Sequence, residues 1–83
     1  MRLLYFGWVR TRIGIGGEEV EPPESVSDVG ALIAWLRARG GGYEEALADV
    51  SAVRVAVNQE MAGPDAAIGR GDEVALFPPM TGG

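Results

Sequence analysis

Reactive side chains are scarce here. The 83 residues contain no Cys and no His, and all seven basic side chains (Arg2, Arg10, Arg12, Arg37, Arg39, Arg54 and Arg70) are Arg. Without thiol, imidazole or Lys amine, the commonest nucleophiles, general bases and soft metal ligands are missing. Carboxylates remain, and Glu18-Glu19 and Glu44-Glu45 are adjacent pairs. Neighbours on a strand face opposite ways, and neighbours on a helix diverge by about 100°. Both pairs therefore read as solvated charge, and no metal site is expected. "GIGG" at 14–17 has the look of a phosphate-loop fragment, but no suitably patterned helix comes after it and there is no Lys. "RGD" at 70–72 reads as a turn with Gly71 at the bend. No residue set supports catalysis by this chain acting alone.

The remaining reactive group lies at the end of "FPPMTGG", residues 77–83. Pro78 and Pro79 fix φ and cannot continue as a central strand, so the stiff pair is expected to project the last four residues away from the body. Met80 and Thr81 are modest in size, and Gly82 and Gly83 have no side chains. Such a tip can thread a channel too narrow for other residues and adopt the φ/ψ that the channel imposes. An α-carboxylate is a poor electrophile until activated. Adenylation by ATP would make it an acyl group open to attack by sulfur or an amine. That step needs an activating enzyme, so ATP is consumed there and no cofactor is expected on this chain.

The elements that must position this tail are read from hydrophobic pattern. "RLLYFGWV" reads as a first strand with Leu3 and Tyr5 on one face and Leu4 and Phe6 on the other. "RTRIGIGG" reads as a turn or irregular connection, and "EEVEPPE" as a short second strand stopped by Pro22-Pro23. Ser27 can cap a helix with Asp28 in its first turn, and Val29, Leu32, Ile33 and Leu36 obey the i, i+3, i+4, i+7 rule. Trp35 borders that stripe, and "RARGGG" ends the helix. "YEEALAD" reads as a short second helix, and "VRVAVN" as a strand with Val53, Val55 and Val57 on one face. Residues 58–64 read as turn chemistry with a short excursion. "EVALFP" is the last strand, with Val74 and Leu76 on one face and Ala75 and Phe77 on the other.

One main amphipathic helix can cover only one face of a mixed sheet, which predicts an α+β, two-layer β-grasp (ubiquitin-like) domain over residues 1–76, with 77–83 as a projecting tail. The helix is expected to bury its stripe against Leu3, Tyr5, Val74 and Leu76. The other sheet face is left carrying Phe6 and Phe77, a candidate docking patch.

Composition agrees with one small domain: 47% of residues are apolar and 23% charged. The formal charge of −5 disfavours nucleic acid as a partner. The start, "MRLLYFGWVR", lacks a signal-peptide pattern and no segment approaches membrane-spanning length, so a soluble, cytoplasmic protein with no membrane partner is expected.

"GDEVALFPPMTGG", the aromatic first strand with "VR" after it, and "VAVNQE" together resemble the small-subunit family of molybdopterin synthase, sulfur carriers of molybdenum-cofactor biosynthesis. The resemblance covers essentially the whole domain. It implies that Gly83 is adenylated by a ubiquitin-activating-type adenylyltransferase and then converted to a thiocarboxylate by way of a sulfur donor enzyme. It further implies insertion of the tail into the large catalytic subunit of a heterotetrameric synthase, where sulfur passes to a cyclic pterin precursor to build the dithiolene. By position, Phe6, Met61 and Phe77, with Pro78 and Pro79, match the surface that docks on the large subunit. "GW" after Phe6 departs from the family's smaller, more polar residues, so Trp8 is expected to reshape the patch. The glycine-rich "RTRIGIGG" departs from the family's usual helical turn. The alternatives are a thiamin-type carrier, a conjugating modifier or an interaction module with an inert tail. Lack of Lys forbids Lys-linked chains of this protein on itself.

Overall fold

The computed structural model describes residues 1–79. Its elements are β1 (Arg2–Tyr5), α1 (Gly7–Ile13), β2 (Gly17–Glu19), α2 (Val29–Arg37), α3 (Gly41–Ala46), a 3-10 turn (Val50–Ala52), β3 (Arg54–Val57), β4 (Glu60–Ala62) and β5 (Glu73–Phe77). The strands form one mixed sheet in the order β2-β1-β5-β3-β4. Among the described residues only β1 and β5 run parallel; the other neighbours are antiparallel. The fold is the expected α+β β-grasp arrangement, an open sheet with helices packed on one side.

The core forms where the predicted stripes meet. Leu3 and Tyr5 from β1, Val74 and Leu76 from β5, and Val53 and Val55 at β3 are buried with Val29, Leu32, Ile33 and Leu36 of α2. Each such side chain contributes about 1.5–3 kcal/mol when fully buried. The start of α2 is secured at three successive amides. Val29 N–H donates to Ala66 O and Gly30 N–H to Pro64 O, while Ala31 N–H donates to Asp28 Oδ1 at 2.8 Å. The cap is thus Asp28 and not Ser27. The Ser27 carbonyl instead accepts from Ile68 N–H, which draws the 63–68 loop onto the helix start.

Two other sequence expectations are corrected. The first strand stops at Tyr5, and residues 7–13, read as the end of that strand and the start of the irregular connection, are helical. Val9 is buried and Ile13, one turn on, packs partly against the core. Arg10 and Arg12 sit in the last turn, and Gly14 closes the helix at φ 101° with its N–H on Arg10 O. Residues 10–13 of the glycine-rich connection are thus helical, and residues 14–16 are a bend. The second short helix expected at "YEEALAD" is present as α3, displaced to Gly41–Ala46, and the unexpected α1 packs against it beside α2. The residue 58–64 excursion is β4, entered through a tight turn in which Asn58 and Gln59 both have positive φ (51° and 70°).

Gly42 is where α3 meets the backbone of α1. A Cβ there would collide with the Arg12 carbonyl oxygen and approach Ile13 Cα to 3.0 Å. Neither obstacle is a flexible side chain, so Gly42→Ala is expected to destabilise the domain by about 1–3 kcal/mol. Thermal unfolding monitored by circular dichroism checks this. For a chain of this size each kcal/mol lowers the melting temperature by roughly 4–8 °C.

Candidate functional site

Residues alternating with the buried set form the sheet's open face, and the register arranges them in rows. Gly17, Leu4, Ala75, Ala56 and Met61 make one row across all five strands. Small residues in the middle keep this row low, and Met61 at the β4 edge is 67% exposed. Toward the ends of β1 and β5 lies an aromatic row. Phe77 is paired with Arg54 of β3, and Phe6 comes directly after β1 alongside it, its N–H donating to Leu76 O at 3.1 Å. Phe6 is 49% exposed, while Phe77 is half-buried. Both aromatics therefore stand outside the core, as strand alternation predicts.

The opposite end of the face is polar. Glu19, Arg2 and Glu73 align across β2, β1 and β5. Asn58 joins that row, donating its N–H to Glu73 O and accepting Glu73 N–H on its side-chain oxygen at 3.0 Å. The Asn58 amide also donates to Asp72, which accepts Gly69 N–H as well. These two bonds, Asn58's first, hold the Asp72 carboxyl below its usual range. The "RGD" segment is thus a structural turn, as expected. The face runs from charged at one end to aromatic, with Arg54 beside Phe77, at the end where the chain leaves the sheet.

That exit is built by the parallel pairing. Tyr5 is in register with Leu76, so the chain leaves β1 and β5 side by side. Pro78 and Pro79 are half-buried, and the Pro78 ring lies against the backbone of Gly7. Met80, Thr81, Gly82 and Gly83, the residues expected to thread and react, lie outside the described residues. Trp8 is packed against the core rather than laid open beside Phe6, and the Arg12 guanidinium covers its ring at 4.5 Å.

Sequence reasoning missed the main polar cluster, on the sheet's helix-covered side. Glu18, read as solvated charge, accepts Tyr5 Oη (2.8 Å) and Tyr43 Oη (2.5 Å) on Oε2 and Arg39 Nη1 (3.0 Å) on Oε1. Its register partner is the buried Leu3, so its side chain points inward. Arg39 also stacks over Trp35 and Tyr43. Burial opposes the charge on Glu18, but the bonds from Tyr43, Tyr5 and Arg39 outweigh it and hold the carboxyl below its usual range. Burial and then the Glu18 carboxylate push both tyrosines above theirs. This cluster ties β2 and the α2–α3 corner to β1 and is structural.

Among the described residues no group of three or more acidic, His or Cys side chains could hold a metal ion. Nor is any described helix long and apolar enough to cross a membrane. What the structure presents is an open sheet face running to an aromatic edge, with the chain's C-terminal segment leaving beside it.

Such a body defines a β-grasp protein of the ubiquitin-like class. The chain belongs to the ThiS family, whose profile matches residues 3–83. It is 36% identical to the molybdopterin synthase sulfur carrier subunit of Escherichia coli over 100% of this chain and 99% of that one. Among solved structures it resembles the putative molybdopterin converting factor subunit 1 from Pyrococcus furiosus (TM-score 0.78, 28% identity, 95% of each chain). It also resembles Haloferax volcanii small archaeal modifier protein 1 (TM-score 0.74, 26% identity, 96% of this chain and 97% of that one). A complex of subunits 1 and 2 of molybdopterin-converting factor from Helicobacter pylori contains the same fold (TM-score 0.65, 20% identity, 99% of this chain and 96% of that one).

The Glu18 cluster makes the stability of the fold depend on pH. Because its carboxyl is lowered from 4.5, the stabilisation is complete above that value and is lost as pH falls through the lower folded-state value. Tyr5 is raised from 10.0, so its contribution holds below that pH and is lost above it, at up to about 1.4 kcal/mol per pH unit. Glu18→Gln is expected to cost about 1–3 kcal/mol at neutral pH and to flatten the acid limb. Urea unfolding from neutral pH down to about pH 3 measures both effects.

Proposed function

We propose that this chain is the sulfur carrier subunit of a molybdopterin synthase. A Gly83 carboxylate oxygen attacks the α-phosphorus of ATP on a ubiquitin-activating-type adenylyltransferase, releasing pyrophosphate and leaving an acyl-adenylate. Sulfide-level sulfur from a donor enzyme then displaces AMP. One carboxylate oxygen departs with AMP, and a thiocarboxylate remains. The tail, with Gly82, Thr81 and Met80 as its threading segment, enters the large catalytic subunit, where the sulfur passes to a cyclic pterin precursor on the way to the dithiolene. Consumption of ATP fits work in the cytoplasm.

The observation that carries this reading is the coincidence of two features at one end of the sheet. The aromatic row of the open face borders the strand ends from which the chain runs on to Gly82-Gly83. The curated relatives bear the name of this carrier, and a subunit-1 relative is found complexed with subunit 2. Docking by the face brings Phe6, Met61, Phe77, Pro78 and Pro79 to the partner while the tail reaches past them. A second reading, favoured by the likeness to an archaeal modifier, keeps the same activation but delivers the acyl group to an amine on another protein.

Incubation with ATP, the adenylyltransferase and a sulfide source, and then intact-mass measurement, tests the chemistry. The expected result is replacement of one oxygen by sulfur, absent when Gly83 is deleted. An unchanged mass, with the enzyme shown active on another carrier, contradicts the proposal; adducts with protein amines favour the second reading.

The docking face generates a separate expectation. Met61 stands mainly in solvent and Phe6 about half in it, so Met61→Ala is expected to change folding stability by no more than about 0.5 kcal/mol and Phe6→Ala by about 1 kcal/mol. At the interface the same truncations are expected to weaken association with the large subunit by about 1–2 kcal/mol each. Calorimetric titration and thermal melts on the same samples separate the two effects.

A further inference from the structure

Gly7 has no role in the carrier chemistry proposed above, yet it occupies an unusual place. It is the first residue of α1 and holds φ at +57°. An L side chain there would be strained, and it would also have nowhere to go. A Cβ on Gly7 would lie 2.6 Å from Pro78 Cγ and 2.8 Å from Pro78 Cδ. The proline ring is seated on the space that glycine leaves open.

The two sides of this contact are held unequally. Gly7 belongs to an anchored element: Val9 is fully buried, α1 packs on α3, and Phe6 N–H is bonded to Leu76 O. Pro78 comes after the last strand residue, has no N–H to donate and carries a rigid ring. A side chain at Gly7 would therefore displace the ring rather than the helix. Moving that ring turns the chain at Pro78, where it leaves the sheet.

From this we infer that Gly7 is a positioning residue for the tail: its missing side chain is the seat that fixes the direction in which Pro78 leads the chain from the sheet. The inference rests on the carrier reading, because an inert tail needs no direction. The main effect of filling the seat falls on turnover of the docked complex: of the proposed docking residues only Pro78 shifts, while Phe6, Met61 and the small-residue row are untouched.

Gly7→Asn separates the ring contact from backbone strain, because Asn tolerates positive φ yet carries a Cβ. The test uses full-length thiocarboxylated chain as substrate for the large subunit and reads kcat and KM for sulfur transfer. Gly7→Asn is expected to lower kcat about 10–100-fold, with KM and thermal melting close to wild type. In a Pro78→Ala background, where the ring is gone, the same substitution is expected to cost little. An equal loss in both backgrounds, or wild-type kcat for Gly7→Asn alone, overturns the inference. Should Gly7→Asn fail to fold, nuclear Overhauser contacts between the Gly7 Hα atoms and the Pro78 ring in the unmodified free chain decide instead; they are expected, and their absence overturns the seat. If wild type transfers no sulfur while these contacts are present, the carrier reading has failed and not the seat.

Discussion

The parallel pairing of β1 with β5 is the constraint on which the rest of the structure depends. An antiparallel neighbour would send the chain ends to opposite edges of the sheet. Here the register from Arg2 opposite Glu73 to Tyr5 opposite Leu76 brings the start of α1 and the start of the C-terminal segment to the same edge. The pair is central in the sheet order, and its inward residues Leu3, Tyr5, Val74 and Leu76 are the floor on which α2 packs. Burial and tail placement are therefore one arrangement: the contacts that make the core also fix where residue 78 leaves it.

That arrangement gives the two faces different character. The helix-covered face takes up the large aliphatic side chains and the Glu18 cluster. The open face keeps Leu4, Ala56, Ala75 and Met61 in one row and Phe6 and Phe77 in the next. Small residues in the middle and aromatics at one edge make a surface that a partner can approach closely before meeting an anchor. Arg2, Glu19 and Glu73 make the opposite end of the face charged.

Much of this was legible in the sequence because it depends on local periodicity. The faces of β1, β3 and β5, the buried stripe of α2 and the outward position of Phe6 and Phe77 all come from alternation or helical spacing. The features that were missed depend on distant partners or on competing local signals. Glu18 meets residues 13, 21 and 25 positions away, so nothing beside it in the chain marks it as bonded. The α1 segment is seven residues with Val9 alone buried, too short for a helical period to outweigh the aromatic and branched run before it. Ser27 and Asp28 are both able caps, and the choice fell to Asp28 because its neighbours' amides meet the 63–68 loop. The Gly7 seat was announced only by "GW", whose meaning depends on Pro78, near the other end of the chain.

In the proposed function the open face and the C-terminal segment act as one surface. Titrating the 15N-labelled chain with the large catalytic subunit of molybdopterin synthase and recording amide shifts tests it most directly. Perturbation of Leu4, Phe6, Ala56, Met61, Ala75 and Phe77 together with Gly82 and Gly83 is expected. Perturbation confined to the outer helix residues, such as Ala34, Arg37, Glu44 and Glu45, would contradict it.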